Sequence, residues 1–89
     1  MANHQDAIKR MKQGEVRRAR NRAYRSRMRN QIKRVRQDVA SGNVVAAQAS
    51  FREAVSVIHR VCAKGVIHRN QAARRISRLN KAVKGIAVK

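Results

Sequence analysis

The sequence predicts an all-α fold, an antiparallel three-helix bundle whose long first helix projects beyond its two partners. Three observations predict it. The 89 residues contain no proline, and the helix formers alanine, arginine and lysine are abundant. Two glycine-centred breaks, at Ser41-Gly42-Asn43 and Lys64-Gly65, cut the chain into three segments. Each segment carries an apolar stripe at the 100° spacing of an α-helix.

Helix one is expected at about 5–40. Its stripe is Tyr24, Met28, Ile32, Val35 and Val39, which fall within an arc of roughly 80°. Gly14 lies inside this helix and weakens it by about 1 kcal/mol relative to alanine. Gly42 suits a left-handed C-terminal cap, and Asn43 suits the N-cap of the following helix. Helix two is expected at about 44–64, with Ala47, Phe51, Ala54, Val55, Ile58, Val61 and Cys62 on one face; Gly65 stops it. Helix three is expected at about 68–86, with Asn70 as cap or first-turn residue and Ala72, Ile76, Leu79, Val83 and Ile86 as its stripe. Gly85 is expected to fray its end. Three stripes and two short connections make an antiparallel bundle the economical packing. The chain is read as a single domain, 1–89. About 1–23 form the basic projecting half of helix one, and about 24–86 form the bundle.

Charge is the second major signal. There are 23 Lys and Arg residues against 4 Asp and Glu, a formal net charge of +19. Such an excess repels itself and calls for a polyanionic partner, most commonly nucleic acid. The charge is unevenly placed. Helix one carries Lys9, Arg10, Lys12, Arg17, Arg18, Arg20, Arg22, Arg25, Arg27, Arg29, Lys33, Arg34 and Arg36, whereas residues 37–63 carry only Arg52 and Arg60. Followed backwards from Tyr24, the apolar arc of helix one runs into Asn21, Arg17, Gly14 and Arg10. The stripe stops and becomes basic. A helix of roughly 36 residues spans about 54 Å and helix two about 30 Å, so about four turns should project. Charged on all sides, that projection is poorly stable alone and suits insertion into folded RNA. Helices one and three are the RNA-facing elements, and helix two is core and support.

Other function classes find little support. Tyr24 and Phe51 are the only aromatics, too few for a base-stacking platform. Cys62 is alone, so an internal disulfide or a cysteine metal site is excluded. His4 and His59 lack partner ligands at metal spacing, and no cofactor is expected. Asp6, Glu15, Asp38 and Glu53 are scattered, with no paired carboxylates, phosphate-binding loop or nucleophile motif; the chain is not expected to be an enzyme. No run approaches the ~18 apolar residues of a membrane span. No secretory or organellar leader is discerned at the N-terminus, so a cytoplasmic location is expected. A membrane-active peptide would need a broad apolar face, but residues 9–22 are charged all round. A bZIP-like DNA binder is suggested by Asn21 and Arg29 and the arginines between them. It fails because the zipper positions that follow hold Asp38, Val45 and Arg52 and because Gly42 interrupts the helix. A nucleoid-type DNA binder remains the alternative.

Particular segments carry a resemblance. Met1-Ala2-Asn3-His4 with Ala7-Ile8-Lys9-Arg10 opens it, and Arg17-Arg18-Ala19-Arg20-Asn21, Tyr24-Arg25-Ser26-Arg27 and Ile32-Lys33 continue it. The most specific stretch is Lys64-Gly65-Val66-Ile67-His68-Arg69-Asn70, with Ala72-Ala73-Arg74 and Ser77-Arg78-Leu79. Together these resemble the bacterial small-subunit ribosomal proteins numbered twenty, over essentially the whole chain. Helix two matches mainly in pattern, through Phe51-Arg52-Glu53-Ala54-Val55. Gly14, where a better helix former is usual, Met11 and Met28 are mild departures.

The resemblance implies a structural constituent of the small ribosomal subunit that binds its 16S RNA directly. It implies contacts with the 5′ domain and the 3′ minor stem at the bottom of the subunit body, and early entry into assembly. Few protein contacts, no homo-oligomer and no membrane association are expected. The expected RNA-binding residues are His4, Lys9, Arg10, Lys12, Arg17, Arg18, Arg20, Asn21, Arg22, Arg25, Ser26, Arg27, Arg29 and Lys33 in helix one. Lys64, His68, Arg69, Asn70, Arg74, Arg75 and Arg78 complete the set around helix three. Arginine forks bind phosphate bidentately and read RNA shape more than sequence, with about half of them in contact. At His68-Arg69-Asn70 two readings stand together, phosphate binding at a helix N-terminus and plain capping by Asn70.

Overall fold

A computed structural model describes residues 4–87. It contains three helices, α1 (His4–Ala40), α2 (Val44–Ala63) and α3 (Arg69–Ala87). The expected boundaries hold to within a residue or two. One difference is that α3 runs through Gly85 without ending there.

The two turns are built from the residues that the sequence marks for them. Gly42 and Gly65 adopt φ of 74° and 76°, and no other described residue has a positive φ. At the end of α2 the Gly65 N–H donates to the Cys62 carbonyl at 2.9 Å, and the Val66 N–H donates to the Val61 carbonyl at 3.2 Å. This paired closure satisfies two orphan carbonyls, and the buried side chains of Val61 and Val66 supply the apolar contact that accompanies it. Asn43 caps α2, its Oδ1 accepting from the Ala46 N–H at 3.1 Å. A Cβ built at Gly65 would meet nothing within 4 Å, so replacing it costs only backbone strain. Gly65→Ala is expected to destabilise the bundle by about 1–2 kcal/mol. That is a fall of several degrees in the thermal midpoint for a domain this size, read by circular dichroism. An unchanged midpoint would show that the turn does not need the left-handed conformation.

The core is one cluster drawn from all three stripes. Met28, Ile32 and Val35 of α1 meet Ala47, Ala54, Ile58 and Val61 of α2 and Ala72, Leu79 and Val83 of α3. Tyr24, Val39, Phe51, Cys62, Ile76 and Ile86 are partly buried around it, so Phe51 and Cys62 line the rim and not the centre. Burial in the α2–α3 connection lies outside the helical periodicity: Val66 and Ile67 are both buried and close the end of the bundle. Small residues at Ala47, Ser50 and Ala54 let α2 approach α1 closely, and Ser50 returns its hydroxyl proton to the Ala47 carbonyl. Gln31 of α1 clips the pair, its Nε2 donating to the Ser50 carbonyl at 3.1 Å and to Glu53 Oε2 at 3.3 Å. Further along α1, Arg34 and Asp38 share a groove with Ala46 and Ala49. Residue numbers thus rise along α1 as they fall along α2, the antiparallel register.

The molecule is long and thin, 66 × 21 × 14 Å, with a radius of gyration of 17.8 Å. A compact chain of this length would give about 12 Å. The excess comes from α1. None of its described residues before Met28 is buried, and the partly buried Tyr24 is its first side chain packed on the core. Residues 4–23 extend about 30 Å beyond that point.

Candidate nucleic-acid interface

The projection is a helix whose cations surround it. Lys9, Arg10, Lys12, Arg17, Arg18, Arg20 and Arg22 are all exposed, as is His4 at its start. Met11 and Val16 are also exposed, so no continuous apolar face competes with the charge. The periodicity reason is plain. A side chain advances 100° per residue, and basic residues placed at 9, 10, 12, 17, 18, 20 and 22 cannot share one side.

Order appears where the projection meets the bundle. Arg18, Asn21, Arg22, Arg25, Ser26 and Arg29 line one groove along α1. Their spacing of three and four residues stacks them turn over turn on a single face. Asn21 is half-buried among them, and the other five are exposed. The tract continues onto α3. Arg25 and Arg29 also line a cleft with Gln71 and Arg75, whose floor includes Met28, Val66 and Ile67. Arg27 and Lys33 lie elsewhere, in a separate groove with Asn30, Gln31, Arg34 and Gln37. Arg27 is about 200° around the helix from Arg29. One flat surface therefore cannot reach both.

Around the α2–α3 connection, Lys64, His68, Arg69, Asn70, Arg74 and Arg78 are exposed and Arg75 is half-buried. Of the two places expected for Asn70, cap or first-turn residue, the structure has the second. His68 caps α3 in place of Asn70: its Nδ1 accepts from the Asn70 N–H at 3.1 Å, and its carbonyl accepts from Ala72 at 3.1 Å. Asn70 is the second residue of the helix, and its side chain is left to the surface. Sequence reasoning missed Gln71 and the cleft it lines. The available signal was its position one turn before Arg75.

Arg34 borders Asp38 and Glu53 in its groove, which supplies two of the chain's four carboxylates as neighbours. Arg52 and Arg60 of α2 are exposed and are separated in sequence from these tracts. Among the described residues no helix is long and apolar enough to cross a membrane. Among the described residues no group of three His, Cys, Asp or Glu side chains could hold a metal ion.

Fold and surface define a class: small, strongly basic helical proteins with a cationic helix held out from a minimal bundle. Comparison with known proteins narrows it. Residues 2–84 match the family model described as ribosomal protein S20. The chain is 54% identical to the small ribosomal subunit protein bS20 of Oleidesulfovibrio alaskensis over 86 residues, covering 97% of this chain and 99% of that one. It is 50% identical to the bS20 protein of Magnetococcus marinus over 88 residues, 99% and 96% of the two chains. The bS20 protein of Methylococcus capsulatus is 51% identical over 88 residues, with the same coverage. The chain belongs to the ribosomal protein S20 family.

Proposed function

We propose that this chain is a structural constituent of the cytoplasmic small ribosomal subunit and binds 16S RNA directly through α1 and α3. The observation that carries the reading is the division of α1. Its apolar stripe begins at Tyr24, and the exposed cations continue past it toward the N-terminus. One end of the helix serves the bundle and the other serves the polyanion. The chain acts as one unit, 1–89, with about 1–23 engaging RNA and about 24–86 holding the angle of approach. Cations on several sides of one helix suit a crevice between RNA segments, where phosphates lie on more than one side. By family resemblance those segments are the 5′ domain and the 3′ minor stem. Its role is to stabilise the folded RNA during assembly, with no chemistry of its own.

The test has two arms. The chain is expected to remain with the small subunit through a high-salt wash. In solution it is expected to prefer 16S RNA to duplex DNA in direct competition. Equal affinity for both, with release from the subunit in the wash, would replace this reading with a nucleoid-type DNA binder.

A further inference from the structure

The place where α1 leaves the bundle carries two side chains that the fold does not fully use. Tyr24 is the first side chain of α1 packed on the core, yet it is only partly buried. Asn21, one turn earlier, is half-buried in the arginine groove. Neither the Tyr24 hydroxyl nor the Asn21 carboxamide is hydrogen-bonded to another described residue, and neither is sealed from solvent. The two are placed to act together. Aromatic side chains on a helix lean toward its N-terminus, so Tyr24 lies over the turn that carries Arg20 and Asn21. One turn further into the bundle, Met28 meets Val66 and Ile67, which close its end. Tyr24 therefore stands at an inside corner between the projection and the closed end of the bundle. The chemistry of the corner differs from its surroundings. Arg17, Arg18, Arg20 and Arg22 nearby are exposed cations suited to phosphate. An aromatic face and a carboxamide are suited to a base. Asparagine is also a poorer choice for a helix interior than alanine or arginine, and Asn21 gains no cap or internal bond in return.

We propose that this corner seats one unpaired nucleobase of the RNA, stacked on the Tyr24 ring with its edge hydrogen-bonded by the Asn21 carboxamide. The proposal rests on RNA binding by this chain and adds a contact that reads a base, where the cations read only backbone and shape. One aromatic ring is too little for a platform of successive bases, but one base needs only one ring. A carboxamide presents an acceptor and a donor side by side, the pair that an adenine edge complements. Adenine is therefore the base expected. RNA offers such bases in loops and bulges and not within paired stems. The corner thus marks one position of the RNA, and the cations around it bind whatever backbone leads there.

The experiment measures affinity for 16S RNA and for an unrelated structured RNA across a salt series, with the full chain, Tyr24→Leu, Tyr24→Trp and Asn21→Ala. Tyr24→Leu keeps an apolar group on the core and removes the stacking face; it is expected to bind 16S RNA about tenfold more weakly. Tyr24→Trp disturbs the packing but enlarges the face, and it is expected to bind at least as tightly as the parent. A purely structural role would make Tyr24→Trp the worse of the two. Asn21→Ala puts a better helix former into α1, so helix stability alone would tighten binding; a loss of about fivefold is expected instead. All three should keep the parent's salt slope and its affinity for the unrelated RNA, since no phosphate contact is lost. Ultraviolet crosslinking of the parent complex, read by mass spectrometry, is expected to join a nucleotide to Tyr24, the only tyrosine of the chain. Parent-like binding by Tyr24→Leu, weak binding by a folded Tyr24→Trp, tighter binding by Asn21→Ala, or crosslinks confined to other residues would each overturn the seat while leaving RNA binding intact. Where a Tyr24 variant loses its helical circular dichroism, Asn21→Ala and the crosslink decide. A parent that does not bind 16S RNA would overturn the function, and the seat with it.

Discussion

Raising salt from about 50 to about 200 mM is expected to weaken 16S RNA binding by about 10³- to 10⁵-fold. The estimate follows from the exposed cations. All the basic side chains of α1 are exposed, and those of α3 add to them. If about half of the basic candidates reach the RNA, about eight phosphates are neutralised. Each neutralised phosphate releases condensed counterions, so log K falls against log salt with a slope near −6 to −7. The slope separates two contributions that a single affinity would merge. The cost of ordering the projection lowers affinity at every salt concentration and leaves the slope alone. Loss of a phosphate contact changes the slope. Neutralising residues singly along 9–22 should therefore lower its magnitude in steps of up to about 1. A slope shallower than about −2 in the parent chain would mean that phosphate contacts do not carry the binding.

Where such contacts could form was legible in the sequence wherever the signal was periodic or conformational. The three stripes required only the 100° rule, and Met28, Ile32 and Val35 are buried as that rule demands. Gly42 and Gly65 were legible because the left-handed turn disfavours side chains with a Cβ. The end of the core was legible for the same reason: the stripe turns basic before Tyr24. What escaped depends on how the elements meet. Val66 and Ile67 sit in a connection, where no period marks them for burial, yet they close the bundle. Gln31 reads as a surface residue until the register of α1 against α2 sets it beside Ser50 and Glu53. His68 replaced Asn70 as the cap because the helix starts one residue earlier than the better capping side chain. The convergence of Arg25, Arg29 and Arg75 depends on the rotation of α3 about its own axis, which no spacing within one helix reveals.

In the free protein, amides at about 8–20 are expected to exchange as in an isolated helix, while those near Ile32 and Ile58 are protected about 10²-fold or more beyond them. The two halves of α1 share hydrogen-bond geometry but not stabilisation. Ordering a chain costs about 1.5 kcal/mol per residue, and the projecting half has no described buried side chain with which to offset it. Its like-charged neighbours add strain: Arg18 with Arg22 and Arg17 with Arg20 stand one turn apart, each such pair unfavourable by about 0.2–0.5 kcal/mol. Glu15, three residues before Arg18, relieves part of this. Gly14 adds about 1 kcal/mol against the helix, and a Cβ there would meet nothing within 4 Å. RNA removes the repulsion and should bring the same amides into protection. Gly14→Ala then becomes the lever that joins stability to function. It should raise protection at 8–20 in the free chain and tighten RNA binding by up to about fivefold, because about 1 kcal/mol of ordering is already met. The salt slope should not move, since no phosphate contact is gained. Core-level protection of amides 8–20 without RNA would show a projection rigid before it binds, and Gly14→Ala would then leave affinity unchanged.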